Sequence, residues 1–370
     1  MLADNETHAE RIGTRIKQAR HMRQMNQRRL ADGVGMSAQT ISHYERGIHT
    51  PDSETLVNLA EALDVRMDAL LRPIRVESIE PVRPCRSRLG AKPLRAVKAA
   101  ATDWLERYMT VERILYGQPG TLEWPARFPY SVRCVGEAEG AATALRNAWD
   151  LGLSVIENVT HVIEDHGVKV CDLADHVDLD PWAFHACGEQ KTPFILMGRG
   201  ADSPAQRERQ RFLLARELGL LATKCKFPLI DDDHEDVATR FADAFLVPKA
   251  WAREELGEKR KNIEWWELHA LQRKHGLTAQ GWLRRARDLG IVSSNALQRM
   301  GNLLEGGRDI EPGRPRETPE RLERLVYHAY AEDIIGDGRA SELLDIDRGE
   351  FLRQIQEETP LSVASANVCH

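Results

Sequence analysis

Residues 26–65 read NQRRLADGVGMSAQTISHYERGIHTPDSETLVNLAEALDV, and this stretch decides the fold of the N-terminal part of the chain. Asn26 has a side-chain oxygen that can take an orphan amide, so it can cap a helix over 27–33. Gly33-Val34-Gly35 reads as a tight turn. Ser37 can cap a third helix over 38–46, and Gly47 ends it. Pro51 and Asp52 then open a fourth helix whose inner face is Leu56, Leu59, Ala60 and Leu63. Upstream, Ile12, Ile16, Ala19 and Met22 recur at helical spacing, and Met67 to Leu71 give a short fifth helix. The spacing therefore predicts five short helices over residues 9–71.

Helices two and three have the makings of a groove-reading pair. Such a pair needs small and apolar residues where the helices cross, a tight turn between them, and short polar side chains on the outer face of the second helix. Leu30 and Ala31 supply the crossing contact on one side and Ile41 and Tyr44 on the other, with Val34 plugging the turn. Ser37, Ala38, Gln39, Thr40, Ser42 and His43 mark the cap and the exposed face. Gln39 can pair with an adenine edge, and Thr40 can hydrogen-bond or touch a thymine methyl. Gln27, Arg28 and the helix N-termini at 27 and 38 are expected to face phosphates, and Arg46 is placed for a backbone contact.

Charge agrees with this reading. His8 to Thr50 holds eight Lys and Arg against three Asp and Glu, a net +5 in a chain whose total is −6. A basic module on an acidic body suits a protein that holds nucleic acid at one end. Hydrophobic residues at 42% are enough for real cores, so wholesale disorder is excluded. No apolar run reaches the length of a membrane span, and the polar start MLADNETHAERIG lacks the apolar stretch of a signal peptide, so a cytoplasmic protein with no membrane partner is expected. The six cysteines form no CxxC pair, which leaves reduced thiols rather than a zinc ribbon.

Outward from the first domain, residues 72–93 carry four prolines and many arginines and read as a linker, partly extended. A helical pattern returns from Pro93 to about Tyr116. Two helices are expected within 137–166, strands at VKVCDL and TPFILMG, and helices from Ser203 to Leu221, His234 to Phe245 and as a pair within 262–288. A Gly- and Pro-rich loop spans 301–318. Helices follow at 319–333 and around 339–356, and residues 360–370 read as a flexible tail.

The N-terminal stretch, RIGTRIKQAR followed by the segment quoted above, resembles the Cro/repressor-type (XRE) helix-turn-helix family, most specifically through YERG, the following proline and LxxLAxAL. The resemblance implies a double-stranded DNA operator as partner and a homodimer that reads a symmetric site. The remainder resembles the ImmA/IrrE-type metallopeptidase-like domain fused behind such a helix-turn-helix. It does so through VRPCRSRLGAKPLRAVKAAATDWLERYMTVERIL, GAATALRNAWDLGLSVIENVTHVIEDHGVKVCDL, TPFILMGRGADSPAQRERQRFLLARELGLLA, VATRFADAFLVP and RLERLVYHAYAEDIIGDGRASELLDIDRGEF. The fold this implies is mainly α with a small β component. It consists of an N-terminal five-helix repressor-type domain (9–71), an α+β zincin-like domain (94–300) and C-terminal helices (319–356).

At the chemistry this chain departs from that second family, whose active members carry HExxH on a helix and a further acidic ligand just before an A-x-x-F-A segment. Here the helix reads Arg216-Glu217-Leu218-Gly219-Leu220, and the acidic position is Val237. Arg216, Leu220 and Val237 thus stand where the resemblance places three metal ligands, and Glu217 is the remnant of its general base. No metal, no catalytic residue and no cofactor are expected, and Glu217 is expected in an ion pair with Arg216 or another arginine. The acidic GRASELLDIDRGEF segment is expected to pack or dimerise rather than bind DNA, because phosphates would repel it.

These readings converge on a sequence-specific transcriptional regulator, a repressor, with a non-catalytic peptidase-like domain for sensing or assembly and a small-molecule or protein effector. Two alternatives stay open at this point: an antitoxin-type autoregulator that binds a toxin partner, and a zinc peptidase that cleaves a repressor.

Overall fold

The computed structural model describes residues 7–83, 90–120, 122, 124–173, 180–188, 191–198, 204–225, 231–293 and 316–358. The first domain consists of α1 (His8–Met22), α2 (Gln27–Gly33), α3 (Ala38–Glu45), α4 (Ser53–Leu63) and α5 (Met67–Leu71). Each cap that the sequence offers is used. Asn26 Oδ1 accepts from Arg29 N at 2.7 Å, Ser37 Oγ from Thr40 N at 3.0 Å and Asp52 Oδ1 from Thr55 N at 2.8 Å. Thr7 and Glu10 add a reciprocal capping box at the start of α1. Ile12, Ile16, Leu30, Ile41, Leu59 and Leu63 are fully buried and form the domain's own core. Gly13 lets α1 cross the end of α3 closely: a Cβ there would sit 2.2 Å from the Tyr44 carbonyl oxygen.

Residues 72–93, expected to be a linker, contain a strand. β1 (Val76–Pro81) buries Val76 and Ile79 and pairs antiparallel with β4 (Trp182–Gly188). The reason is visible in VESIEP: two apolar residues fall where the chain meets the sheet, and Pro81 closes an edge strand that tolerates a missing amide. β4 pairs antiparallel with β5 (Thr192–Gly198), and β5 pairs parallel with β3 (Lys169–Leu173), so the sheet order is β1-β4-β5-β3. β5 is buried along its whole length, as the apolar run TPFILMG requires. β2 (Tyr130–Val132) and β6 (Thr223–Cys225) form a separate parallel pair.

Among the described residues seven helices follow around this sheet, α7 (Ala138–Ala148), α8 (Val159–Asp165), α9 (Pro204–Ala222), α10 (Asp231–Leu246), α11 (Lys249–Leu256), α12 (Trp265–His275) and α13 (Ala279–Asp288); α8 and α9 pack on its strands, α10 packs on α9 and α7, and α13 packs on α10, α11 and α12. Leu214, Leu218, Phe241, Phe245 and Trp282 lie in one continuous buried cluster. α9 and α10 meet at Gly219, where a Cβ would stand 2.8 Å from Phe241 Cδ1.

Helix α6 (Ala91–Tyr116) begins in this unit, which comprises residues 1–103 and 122–319. A second compact unit takes residues 104–121 together with 320–370, so the C-terminal helices do not form a unit by themselves. Within it, Tyr108 and Val111 pack with Leu325, Val326, Ala340, Leu343 and Phe351. The stretch around 339–356 is two helices, Asp337–Leu344 and Arg348–Glu358, divided where Asp345 takes the left-handed conformation at φ +60°. The expected tail at 360–370, and residues 301–315 of the expected loop, lie outside the described residues.

Candidate nucleic-acid interface

The outer face of α3 carries the residues singled out for base reading. Ala38, Gln39 and Arg46 are exposed, and Thr40, Ser42 and His43 are partly exposed. Ile41 and Glu45 point inward. The Ser37 hydroxyl caps the helix and also bonds the Thr40 hydroxyl at 2.8 Å, so these two groups preset each other's orientation. Arg46 Nε donates to Ser42 O at 3.2 Å, which lays the guanidinium along the end of the helix. His43 meets His49 edge to face, with ring centroids 5.3 Å apart. Arg28 is exposed on the first turn of α2.

Gln27 differs from its expected role. It is half-buried, and its amide nitrogen donates to Glu45 Oε2 at 2.8 Å rather than lying wholly toward a phosphate. The cause is a buried ion pair that the sequence reading missed. Arg20 on α1 grips Glu45 with Nε–Oε1 at 2.5 Å and Nη2–Oε2 at 2.9 Å, and Nη1 donates to Met25 O at 2.9 Å. A signal was available: Glu45 lies four residues after the core residue Ile41, hence on the buried face, where a carboxylate needs a partner. The carboxylate thereby ties α1, α2 and α3 together and fixes how α3 is presented.

A second constellation surrounds Glu217 on α9. Its side chain is sealed from solvent. Oε1 accepts from Arg216 Nη2 at 2.9 Å and from Arg83 Nη2 at 3.0 Å, and Oε2 accepts from Ala183 N of β4 at 3.0 Å. Arg83 also pairs with Glu235 of α10. Burial pulls the Arg216 guanidinium below the usual arginine range, reinforced by Arg83 and opposed by Glu217. Two arginines and two carboxylates thus occupy this place. Leu220 is half-buried, and Val237 is 1% exposed inside the core. None of Arg216, Leu220 and Val237 can donate a lone pair to a metal, so these residues do not fit a zinc site. Among the described residues there is no group of three or more His, Cys, Asp or Glu suited to a metal ion. Arg83 could not have been found from spacing, because it is separated from Glu217 by 134 residues and reaches it only through β1.

Comparison with known proteins bears on the first domain. Residues 16–70 match the helix-turn-helix family model. Over 57 residues the chain is 35% identical to YqaE of Bacillus subtilis (strain 168), described as an uncharacterized HTH-type transcriptional regulator; the match covers 15% of this chain and 49% of that protein. Over 61 residues it is 38% identical to YonR of the same organism, an SPbeta prophage-derived uncharacterized HTH-type transcriptional regulator, covering 16% of this chain and 56% of the relative. The chain spans about half the length of the curated relatives it matches. No solved structure matches. The N-terminal segment is an XRE-type helix-turn-helix DNA-binding domain. No described helix is long and apolar enough to cross a membrane.

Proposed function

We propose that this chain is a sequence-specific transcriptional regulator, a repressor, that binds a double-stranded DNA operator as a homodimer. The observation that carries the reading is the geometry of α3: a helix of eight residues, capped at Ser37, with Gln39, Thr40, Ser42 and His43 on its outer face and Ile41 and Glu45 locked inside. A rigid helix with short polar side chains is what base reading in a major groove requires. Arg28, Arg46 and the amides at the starts of α2 and α3 supply the phosphate contacts. The relatives' description as HTH-type transcriptional regulators supports the same reading.

The body is a non-catalytic, ImmA/IrrE-like domain used for sensing or assembly. Support comes from the helix with the remnant motif, where Glu217 is spent on two arginines and one backbone amide. A general base must reach a water or substrate proton, and this carboxylate is fully engaged inside the fold. Mapping bound sites across the genome of the source cell, with reporters for the genes beside them, tests the proposal. Expression that rises at bound promoters when the gene is deleted supports a repressor; binding without preferred sites contradicts it.

A further inference from the structure

The connection between the DNA-binding domain and the body is short and fastened at both ends. Only residues 72–75 separate α5 from β1. At the near end, Arg15 of α1 is 4% exposed; its Nε donates to Arg72 O at 3.1 Å, and its Nη2 donates to Pro73 O. Gln18 Nε2 donates to Ala99 O of α6 at 3.3 Å, and Arg72 pairs with Asp103 of α6 at 2.9 Å. At the far end β1 lies on β4, and Val82 N continues the pairing onto Ala183 O at 3.0 Å. The next residue, Arg83, sends its guanidinium between Glu217 and Glu235.

Glu217 therefore holds both sides of one junction. One oxygen takes the Ala183 amide of β4, and the other takes the arginine that ends the segment paired with β4. Arg216 already neutralises Glu217 from the adjacent position on α9, so charge balance on that carboxylate does not itself demand Arg83. What Arg83 adds is attachment: it is the member of the cluster that belongs to the segment leading out of the DNA-binding domain. Charged hydrogen bonds to a carboxylate sealed from water, as Glu217 is, are strong enough to pin an edge strand.

We propose that Glu217 and Glu235 anchor a strap, residues 76–83, that holds the helix-turn-helix in one orientation on the body, making Glu217 a positioning residue for DNA reading. This rests on the reading of the first domain as a DNA reader in a homodimer. Two reading heads held this way accept one half-site spacing. Anything that draws Arg83 off the two carboxylates loosens the strap and widens the range of spacings.

The test uses the full chain and two readouts. Hydrogen exchange is followed in the amides of 76–82 against those of β3 and β5, and DNA binding is measured on the duplex preferred in a selection from random DNA, with base pairs inserted at its centre. In Arg83→Ala and in the milder Glu235→Gln, exchange of 76–82 should rise about tenfold or more while β3 and β5 keep their protection, as expected for loss of a charged hydrogen bond. The parent should bind one spacing; the variants should bind several with similar affinity, and Arg83→Lys should recover most of the selectivity. Unchanged exchange and unchanged spacing selectivity in both variants overturn the strap. If no variant, nor the parent, prefers any duplex, the DNA-reading premise fails instead, and the exchange data still judge the strap. If Arg83→Ala unfolds the body, so that β3 and β5 lose protection, Glu235→Gln decides: a folded body with unaltered 76–82 exchange and spacing overturns the proposal.

Discussion

Arg20 and Glu45 face each other inside the DNA-binding domain, doubly bonded at 2.5 and 2.9 Å, with 9% and 3% of their side chains exposed. Glu45 ends α3, the proposed recognition helix, and Arg20 belongs to α1, so the pair fixes the position of α3 from behind. Removing one partner leaves a buried charge unmatched. Glu45→Ala should therefore destabilise the domain by about 3 kcal/mol and weaken DNA binding even though Glu45 touches no base. Urea unfolding followed by circular dichroism, with the α1–α3 region read by hydrogen exchange, checks this; parent-like stability would show that the pair holds nothing.

Base reading and phosphate holding should separate by mutation. Replacing Gln39 by Ala, or Thr40 by Val, should cost about 1–3 kcal/mol and relax preference at one or two base positions. Arg28→Ala should weaken all duplexes about equally and lower the salt slope by about one. Titrations of the preferred duplex and its single-base variants at several salt concentrations distinguish the two. A loss of specificity in Arg28→Ala, or uniform weakening in Gln39→Ala, would reverse the assignment.

Much of the first domain was legible because its signals are local. Asn26, Ser37 and Asp52 cap the helices they were expected to cap, and the apolar residues at helical spacing, apart from the half-buried Met22, are the core. The body was legible where the local pattern is strong, as in the apolar run of β5 and the one-sided apolar faces of α7 and α10, and illegible where strands are short or mixed. WAFHACG became β4 because it lies between β1 and β5, a neighbourhood that no local pattern records. The ion pair at Glu217 was expected with an arginine; the partner Arg83, two residues beyond β1, was not, because long-range pairing depends on the sheet order. The arginines of 72–93 masked the apolar pair Val76 and Ile79 and made a strand read as a linker.

Stability should fall as acid is added, in two steps. His21, His185 and His269 are each held below the usual histidine range, first by burial and then by Arg20, Lys191 and Arg273 respectively. The unfolded chain takes up these protons first, so the stability tied to the neutral rings is whole above about pH 6.5 and is lost as pH drops below it. Glu10 and Asp52 are held below the usual carboxylate range by hydrogen bonds from Thr7 and Thr55, so their contribution persists above about pH 4 and is lost as pH falls through their folded values. Urea midpoints between pH 8 and 3 should decline in both windows, and His21→Gln should flatten the first. A midpoint that rises between pH 7 and 5 would contradict the sign.

The residues around Glu217 predict how the protein meets metal. Arg216, Leu220 and Val237 offer no ligand, and a guanidinium beside the position repels a divalent cation. The purified chain should carry no stoichiometric zinc, and chelators should change neither its melting temperature nor its DNA binding. Elemental analysis that finds about one zinc per chain, removed by a chelator together with regulation, would revive a peptidase.

The most direct measurement is a binding-site selection with the full chain from random duplex DNA, followed by titration of the winning duplex against a scrambled one across a range of salt. The selected duplex should be an inverted repeat with half-sites about one helical turn apart, bound at least about a thousandfold more tightly than the scrambled duplex, with both affinities falling as salt rises. Equal affinity for the selected and scrambled duplexes at every salt concentration would contradict it.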